Sequence, residues 1–112
     1  MKNNNLYQDL NYNDDKVAIS VLFETDTTKE IRILFKKGQL MKKHETPYPI
    51  TVELVEGIID FGVNDELLPL KKGDLLALDG GVPHDLHAQA DSIVRLTLSK
   101  QDSVQRVRNV GL

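Results

Sequence analysis

The stretch that decides the fold runs from residue 73 to residue 88 and reads GDLLALDGGVPHDLHA. It opens on a glycine, continues through four apolar residues at 75–78, and reaches His84 through a turn of aspartate, glycines and a proline. Short apolar runs bounded by turn residues predict β-strands, so strands are expected at 75–78 and again at 85–90. Gly38 leads in a similar way to His44. Two glycine-entered strands are therefore each expected to deliver one imidazole.

The same pattern extends outward over most of the chain. Turn residues recur about every eight to twelve residues, which is the spacing of an all-β sandwich or barrel. No long helix is predicted in the body of the chain. The predicted strands are 17–23, 31–35, 50–56, 58–63, 75–78, 85–90 and 93–99.

Two local expectations follow from these strands. Alternation in the first strand predicts that its apolar residues are buried mostly on one side; these are Val17, Ile19, Val21 and Phe23. Because proline lacks a backbone N–H, prolines are expected outside strand interiors. The prolines are Pro47, Pro49, Pro69 and Pro83.

Composition limits the class of protein. A chain of 112 residues is one domain in size. The absence of cysteine excludes disulfides, thiolate metal sites and cysteine nucleophiles. The net charge is −3, with 14 basic and 17 acidic residues, and the lysines are scattered among acids. We therefore expect no nucleic-acid partner.

The predicted domain lies between two segments of different character. Residues 1–15 form a polar N-terminal arm, 16–99 form the domain, and 100–112 form a C-terminal tail with Val104, Val107 and Val110 at a spacing of three. No apolar run approaches the ~20 residues of a membrane span, and the asparagine-rich start lacks the apolar core of a secretory signal. A cytoplasmic protein without a membrane partner is expected.

The glycines and histidines together resemble the cupin superfamily over roughly residues 30–99. At the positions of the first cupin motif, which are glycine, histidine, a second histidine, glutamate and glycine, this chain has Gly38, His44, Thr46, Ile50 and Gly57, so two members are missing. At the positions of the second motif, which are glycine, proline, glycine, histidine and asparagine, it has Gly73, Asp79, Gly81, His84 and Ala88, with Pro83 just before the histidine, so only the glycines and the histidine are kept.

This resemblance implies an all-β fold, the double-stranded β-helix or jelly-roll barrel. In cupins the two histidines and glutamate of the first motif, with the histidine of the second, bind one divalent metal inside the barrel. Carried over to this chain, only His44 and His84 remain as nitrogen donors. Thr46 and Ile50 stand in the other two positions. Since catalytic zinc usually has about three protein ligands, this set is short of donors.

Strand parity predicts which side chains face the pocket. If Ile50 points inward, alternate residues of its strand also point inward, and the same holds for the strand that follows His84. His87 is then a surface histidine and Glu53 is a poor substitute ligand. The predicted inward residues are Ile50, Val52, Leu54, His84, Leu86 and Ala88, and the outward ones are Thr51, Glu53, Val55, Asp85 and His87.

The connection after His44 is predicted to form a stiff rim. Thr46 and Tyr48 each precede a proline, which favours extended backbone with little entropy to lose when a ligand binds. Tyr48 is expected to serve as an aromatic wall or a hydroxyl donor, or else to pack on the outside of the barrel. The predicted ligand-binding residues are His44, Thr46, Tyr48, Ile50 and His84.

Three interpretations of function stay open. The first is a small-molecule-binding domain, with or without one weakly held divalent metal ion (Zn, Fe, Mn or Ni) at His44 and His84. The second is a metal-dependent isomerase, oxygenase or lyase in which a substrate group completes the metal's ligands. The third is a structural or interaction protein with a filled barrel. A homodimer is expected, because pairing would cover strand edges.

Overall fold

The computed structural model of the protein describes residues 1–100, in which nine strands form two antiparallel sheets. The larger sheet has the order β1-β2-β9-β4-β7 and the smaller has the order β3-β8-β5-β6. This confirms the predicted all-β class. Most of the predicted tail, from residue 101 onward, lies outside the described residues. The strands are β1 (Ala18–Glu24), β2 (Thr28–Phe35), β3 (Leu40–His44), β4 (Ile50–Glu56), β5 (Ile58–Val63), β6 (Glu66–Lys71), β7 (Leu75–Leu78), β8 (His84–Ala88) and β9 (Ser92–Ser99).

The strands at 50–56, 58–63 and 75–78 have the predicted bounds, and β8 and β9 begin one residue earlier than predicted. Strand β6 was not predicted, and the expectation for Pro69 was wrong because it lies inside this strand. The reason is that β6 is an edge strand, paired only with β5. In an edge strand, every second backbone N–H points away from the neighbouring strand and makes no hydrogen bond within the sheet. A proline is therefore tolerated at such a position.

The burial predicted for the first strand was wrong at Ile19 and Val21, whereas Val17 packs against the core and Phe23 is half-buried. Ile19 and Val21 are 58% and 52% exposed. They pair with Ile33 and Ile31, which face the core. However, β1 is the outermost strand of a five-stranded sheet that faces a four-stranded one. The alternating pattern correctly placed Ile19 and Val21 on the same face of the sheet as Ile31 and Ile33. Only the order of the strands shows that this face is not covered by the smaller sheet at β1.

Elsewhere strand parity is confirmed. Ile50, Val52 and Leu54 are buried in β4, while the residues between them are partly exposed. Strand β8 buries His84, Leu86 and Ala88 and exposes His87. The core between the sheets is apolar. Its buried members are Ile31, Ile33, Phe35, Ile50, Val52, Leu54, Ile59, Phe61, Leu70, Leu86, Ala88 and Val94.

The N-terminal arm lies against the outer face of the larger sheet. The Arg32 guanidinium donates hydrogen bonds to the backbone carbonyls of Leu6, Gln8 and Asp9 at 3.2, 2.6 and 3.1 Å. Its own side chain is buried, as is Leu34 on the same face of the strand. The arm therefore explains why β2 is buried on both faces.

The connections between strands place two different ends on the barrel. We define the open end by the connections 25–27, 45–49, 64–65 and 79–83. The opposite, closed end carries the connections 36–39, 57, 72–74 and 89–91. His44 ends β3 and His84 begins β8, so both histidines lie at the open end. Within residues 1–100, no helix has the length and apolar character of a membrane span.

Candidate functional site

His44 and His84 form a cross-strand pair at the open end. They are register partners on β3 and β8, and their ring centroids lie 4.4 Å apart at an interplanar angle of 55°. The prediction that folding brings these two distant imidazoles together is confirmed by this geometry.

A β-bulge in β3 makes the pairing possible. Met41 pairs with Leu86 and faces the core, but three residues later His44 pairs with His84, so the register shifts by one residue between them. Simple alternation from Met41 would have turned His44 to the outer face. The extra residue reverses this parity and turns His44 toward His84.

The two rings have very different environments. His84 is only 3% exposed and stacks on Phe61, with centroids 5.6 Å apart and planes 11° from parallel. His44 is exposed. Phe61 was not identified from the sequence, although its position in the predicted strand 58–63 was the available signal. The pair thus consists of one fixed inner ring and one ring that solutes can reach.

Backbone carbonyls fix the tautomer of both rings. His44 Nδ1 lies 2.8 Å from the Lys42 oxygen, and His84 Nδ1 lies 2.9 Å from the Val82 oxygen. A carbonyl oxygen can only accept, so each Nδ1 donates its proton. In the neutral rings, Nε2 is then the nitrogen with a lone pair. This arrangement is how proteins commonly orient histidines that bind metals through the second nitrogen.

Apolar side chains surround the histidines. Val63 pairs with His84 in the smaller sheet, and Ile50 pairs with both Leu78 and Leu98 in the larger sheet. Ile50 is buried, as predicted for the position where cupins carry a carboxylate. The half-buried apolar side chains at this end are Val63, Leu78 and Leu98. The deeper interior is filled by the core. We call the two rings and these half-buried side chains the bowl.

Thr46 stabilises the rim. Its hydroxyl donates to the Tyr48 oxygen at 3.0 Å, and its carbonyl accepts from Gly81 N–H at 2.7 Å. The Pro47 carbonyl lies so close to Gly80 that a Cβ there would collide with it. The connections 45–49 and 79–83 are therefore packed together as one rim. Thr46 commits its proton to this rim, and Tyr48 contributes its backbone oxygen.

The donor set can be tested against a metal ion. With metal–nitrogen bonds of about 2.1 Å, two imidazoles that share one ion place their ring centroids about 4.5 Å apart at an octahedral angle near 90° and about 5.3 Å apart at the tetrahedral angle of zinc sites. The 4.4 Å separation of His44 and His84 agrees with the octahedral value. Across residues 1–100, however, no group of three or more His, Cys, Asp or Glu side chains could hold a metal. The described residues of this site therefore offer a divalent ion two nitrogen donors, His44 and His84.

A separate cavity of about 210 Å³ lies at the β5–β6 hairpin. Its lining includes Lys43, Gly62, Asp65 and Asp85. Asp85 belongs to the outward-facing set of β8, so this cavity lies on the other face of the smaller sheet from His84. It does not include the histidine pair.

Comparison with solved structures identifies the architecture. An RmlC-like cupin protein from Desulfovibrio desulfuricans matches with a TM-score of 0.81 and 24% identity, over 88% of this chain and 96% of that one. The chain has the cupin fold. Within this fold, His44 and His84 lie on facing positions of neighbouring strands, as the sequence resemblance implied.

Two further cupin structures agree. A cupin superfamily protein from Desulfitobacterium hafniense matches with a TM-score of 0.74 and 13% identity, over 80% and 83% of the two chains. An uncharacterized protein with a double-stranded β-helix domain from Klebsiella pneumoniae matches at 0.77 and 17%, over 88% and 89%. No protein-family model and no curated protein matches the sequence. At these identities the likeness establishes the fold alone.

Proposed function

We propose that this cupin domain binds a small molecule at the open end of its barrel, with the polar group of that molecule on His44 and His84. The observation that carries the proposal is the paired imidazoles, each held through Nδ1 by a backbone carbonyl. Two oriented polar groups within an apolar surround are the usual composition of a small-molecule site.

The chemistry of the bowl selects the class of ligand. A neutral imidazole accepts a hydrogen bond at Nε2, so the pair suits a hydroxyl, amide or similar donor; a protonated ring would donate instead. Leu78 and Leu98 offer half-buried apolar surface at the same end of the barrel. A small molecule with an apolar body and one polar end matches both features. The filled core beneath the rings favours a ligand bound near the surface.

The experiment uses three variants and NMR. Wild type, His44→Ala, His84→Ala and His87→Ala are titrated with a set of small aromatic and aliphatic alcohols, amides and carboxylic acids. His87 is the matched control, because it lies on the same strand as His84 but is exposed on the outer face. We expect shifts of the Val63 and Leu78 signals that are lost in the first two variants and kept in the control. Binding that is unchanged in all three variants would refute the proposal.

A divalent metal ion at the same pair is the second candidate. The 4.4 Å ring separation and the two Nε2 lone pairs favour it. His44 and His84 would hold the ion, with water or a group of the ligand completing its coordination. A bound ion would polarise a carbonyl group or acidify a coordinated water, and this is the chemistry that an enzyme of isomerase, oxygenase or lyase type would use.

The same variants separate the two candidates. Titration with Zn²⁺ or Ni²⁺ by calorimetry is expected to show about one ion per chain if the metal interpretation holds, with the heat lost in His44→Ala and His84→Ala but kept in His87→Ala. Ligand binding without any metal uptake supports the first candidate alone. Metal uptake that survives both substitutions would place the ion elsewhere and contradict this second candidate.

The cellular setting belongs to the same proposal. We infer a cytoplasmic protein whose partners are a small molecule and a second copy of itself, with no nucleic acid and no membrane. The exposed apolar side chains of Ile19 and Val21 on the edge strand β1 support pairing of two copies. Sedimentation of the full chain tests this part, with a monomer at high concentration as the contrary result.

A further inference from the structure

Each imidazole of the histidine pair has one nitrogen without a hydrogen bond. Within residues 1–100, the rings of His44 and His84 make one hydrogen bond each, from Nδ1 to a backbone carbonyl. His84 is nevertheless only 3% exposed. A buried polar atom that lacks a hydrogen bond is unfavourable, so a donor supplied by a ligand would be stabilised at Nε2 of His84.

The two Nε2 atoms favour a head group with several donors. The ring centroids lie 4.4 Å apart, so one head group can reach both rings. A carboxylate has no proton to donate and a hydroxyl has one, whereas a primary amide has two and an ammonium group has three. An amide or an ammonium group can therefore donate to both histidines at the same time.

The charge of the open end distinguishes these two head groups. Each of the four connections that define this end carries one charged residue, and each of these residues is acidic and exposed. We call them the acidic rim: Asp26, Glu45, Asp65 and Asp79. A negative rim attracts a cation, repels an anion and has little effect on a neutral amide.

The lysines of β3 do not neutralise this rim, because they face the other side of the sheet. Lys42 and Lys43 both stand opposite Asp85 in the bulge. Each is the chain neighbour of an inward-facing residue, Met41 or His44, so both side chains point outward. Lys43 accordingly lines the outer-face cavity together with Asp85.

Two further lysines are paired with a carboxylate near the open end. Lys29 and Lys100 contact the Glu24 side chain at 3.6 and 3.1 Å. Taken with Glu24 and Asp26, these two lysines give no net charge. The other three carboxylates of the rim therefore make the open end negative.

We propose that the ligand of the open end is a primary amine with an apolar body, bound as its ammonium ion. The ammonium group donates to Nε2 of His44 and of His84, and the apolar body lies against Leu78 and Leu98. The acidic rim attracts the cation without direct contact. This assignment names the ligand class of the same site, so it rests on the proposed function.

Two opposing effects set the size of the preference. A charged donor makes a stronger hydrogen bond than a neutral one. However, the ammonium ion loses part of its hydration when it enters the bowl. We therefore expect a moderate preference, with the amine bound about tenfold more tightly than the alcohol that has the same body.

A series of compounds with one branched apolar body tests the head group. The probes are 3-methylbutylamine, its trimethylammonium analogue, 3-methylbutan-1-ol, 3-methylbutanamide and 3-methylbutanoate. They are titrated into the full chain at about pH 8, where an alkylamine is protonated, with EDTA present to remove trace metal. The NMR shifts of Val63 and Leu78 give the dissociation constants.

The amine is expected to bind most tightly and the carboxylate most weakly. The trimethylammonium compound has the charge but no N–H donor, so we expect it to bind about tenfold more weakly than the amine. An alcohol, amide or carboxylate that binds as tightly as the amine would overturn the proposal. Equal binding of the amine and its trimethylammonium analogue would also overturn it, because donation to the histidines would then contribute nothing.

Neutralised carboxylates test the rim. Glu45→Gln with Asp79→Asn is expected to weaken amine binding about fivefold at low ionic strength and to leave alcohol binding unchanged. Asp15→Asn with Asp60→Asn is the matched control, because it changes the net charge equally at the closed end and on the outer face of the smaller sheet. Equal weakening by both pairs, or none by either, would refute attraction by the rim.

The histidine variants separate failure of this inference from failure of the proposed function. If His44→Ala and His84→Ala abolish binding of the alcohol or amide while the amine binds no more tightly, the proposed site stands and the amine class is refuted. Amine binding that survives both substitutions would place the ammonium group elsewhere and contradict the inference. If no probe shifts the Val63 and Leu78 signals, the proposed function and this inference both fail.

Discussion

Two features of this protein depend on single residues. The clearer case is the tight packing at Gly57. It has a φ of +101° between β4 and β5, and an added Cβ would lie 2.5 Å from the Asp91 oxygen and would also collide with the Ser92 hydroxyl. That hydroxyl is buried and donates to the Ala90 oxygen at 2.7 Å. The cupin motif glycine is thus explained here by packing as well as by backbone conformation.

Substitution of Gly57 tests this explanation. We expect Gly57→Ala to lower the free energy of unfolding by about 3 kcal/mol or more, because strain and collision add. Gly73→Ala is the matched control, since Gly73 also has a positive φ of +92° but a Cβ there meets nothing within 4 Å. It should cost roughly 1 to 2 kcal/mol, for the backbone conformation alone. Urea denaturation measures both, and equal losses would show that packing against Ser92 contributes nothing.

The second residue-scale feature is the orientation of the imidazoles. His44 and His84 were identified from the sequence, because the spacing of the motif residues indicated both histidines. The alternation of apolar residues after His84 also predicted that its side chain faces inward. Their tautomers were not, since these depend on the Lys42 and Val82 carbonyls two residues earlier. Such contacts are fixed only by the local backbone, which the sequence pattern leaves undetermined.

At the scale of elements, Arg32 is one of the residues that hold the N-terminal arm. Its guanidinium bonds to three carbonyls of the arm, and it stands opposite Arg95 in the register of β2 and β9. Arg95 instead contacts Glu53 at 2.9 Å and Glu30 at 3.2 Å. Arg32 thus donates to neutral carbonyl oxygens of the arm, whereas Arg95 pairs with two carboxylates of the sheet.

Loss of the Arg32 contacts should release the arm. Arg32→Met keeps much of the buried volume but removes the charged hydrogen bonds, each of which contributes about 1.5 to 3 kcal/mol. We expect a lower free energy of unfolding and faster proteolysis within residues 1–15, with the remaining domain still resistant. Lys29→Met, on the same strand but partly exposed, is the control. Equal protection of the arm in both variants would show that Arg32 does not hold it.

Elements also show why prediction from sequence succeeded in one place and failed in another. The alternation of β4 and β8 was sufficient, because each lies inside a sheet with one face on the core. The edge strands β1 and β6 were misjudged, since the burial of Ile19 and the tolerance of Pro69 depend on which strands lie beside and opposite them. The bulge in β3 is similar: the residue that reverses the parity of His44 carries no sequence signal of its own.

At the scale of the whole molecule, carboxylate contacts join distant parts of the chain. A hydrogen bond from Tyr7 and then one from Lys72 lower the pKa of Glu56, which links the arm to the β6–β7 connection. Hydrogen bonding from Lys36 lowers the pKa of Asp14 in the same arm. The pKa of Glu24 is lowered mainly by a hydrogen bond from Lys100, and that of Asp74 by the Lys71 backbone N–H.

These shifts set the direction of acid sensitivity. A carboxyl whose pKa is lower in the folded state stabilises the protein above its unfolded pKa, near 4, and loses that contribution as the pH falls through the folded value. We therefore expect these carboxyl groups to contribute a nearly constant amount to the free energy of unfolding between about pH 5 and pH 7. At pH values lower than about 4, we expect their contribution to decrease. Urea denaturation at a series of pH values measures this profile.

Glu56→Gln isolates one contact in that profile. A neutral amide resembles the protonated acid, so the variant should be less stable than wild type near pH 6, and the difference should vanish at about pH 2 to 3. Glu66→Gln, at an exposed position of the β5–β6 hairpin, controls for the change in net charge. A difference between Glu56→Gln and wild type that stays constant with pH would mean that the side chain stabilises through packing alone. The link from Tyr7 through Glu56 to Lys72 would then not depend on charge.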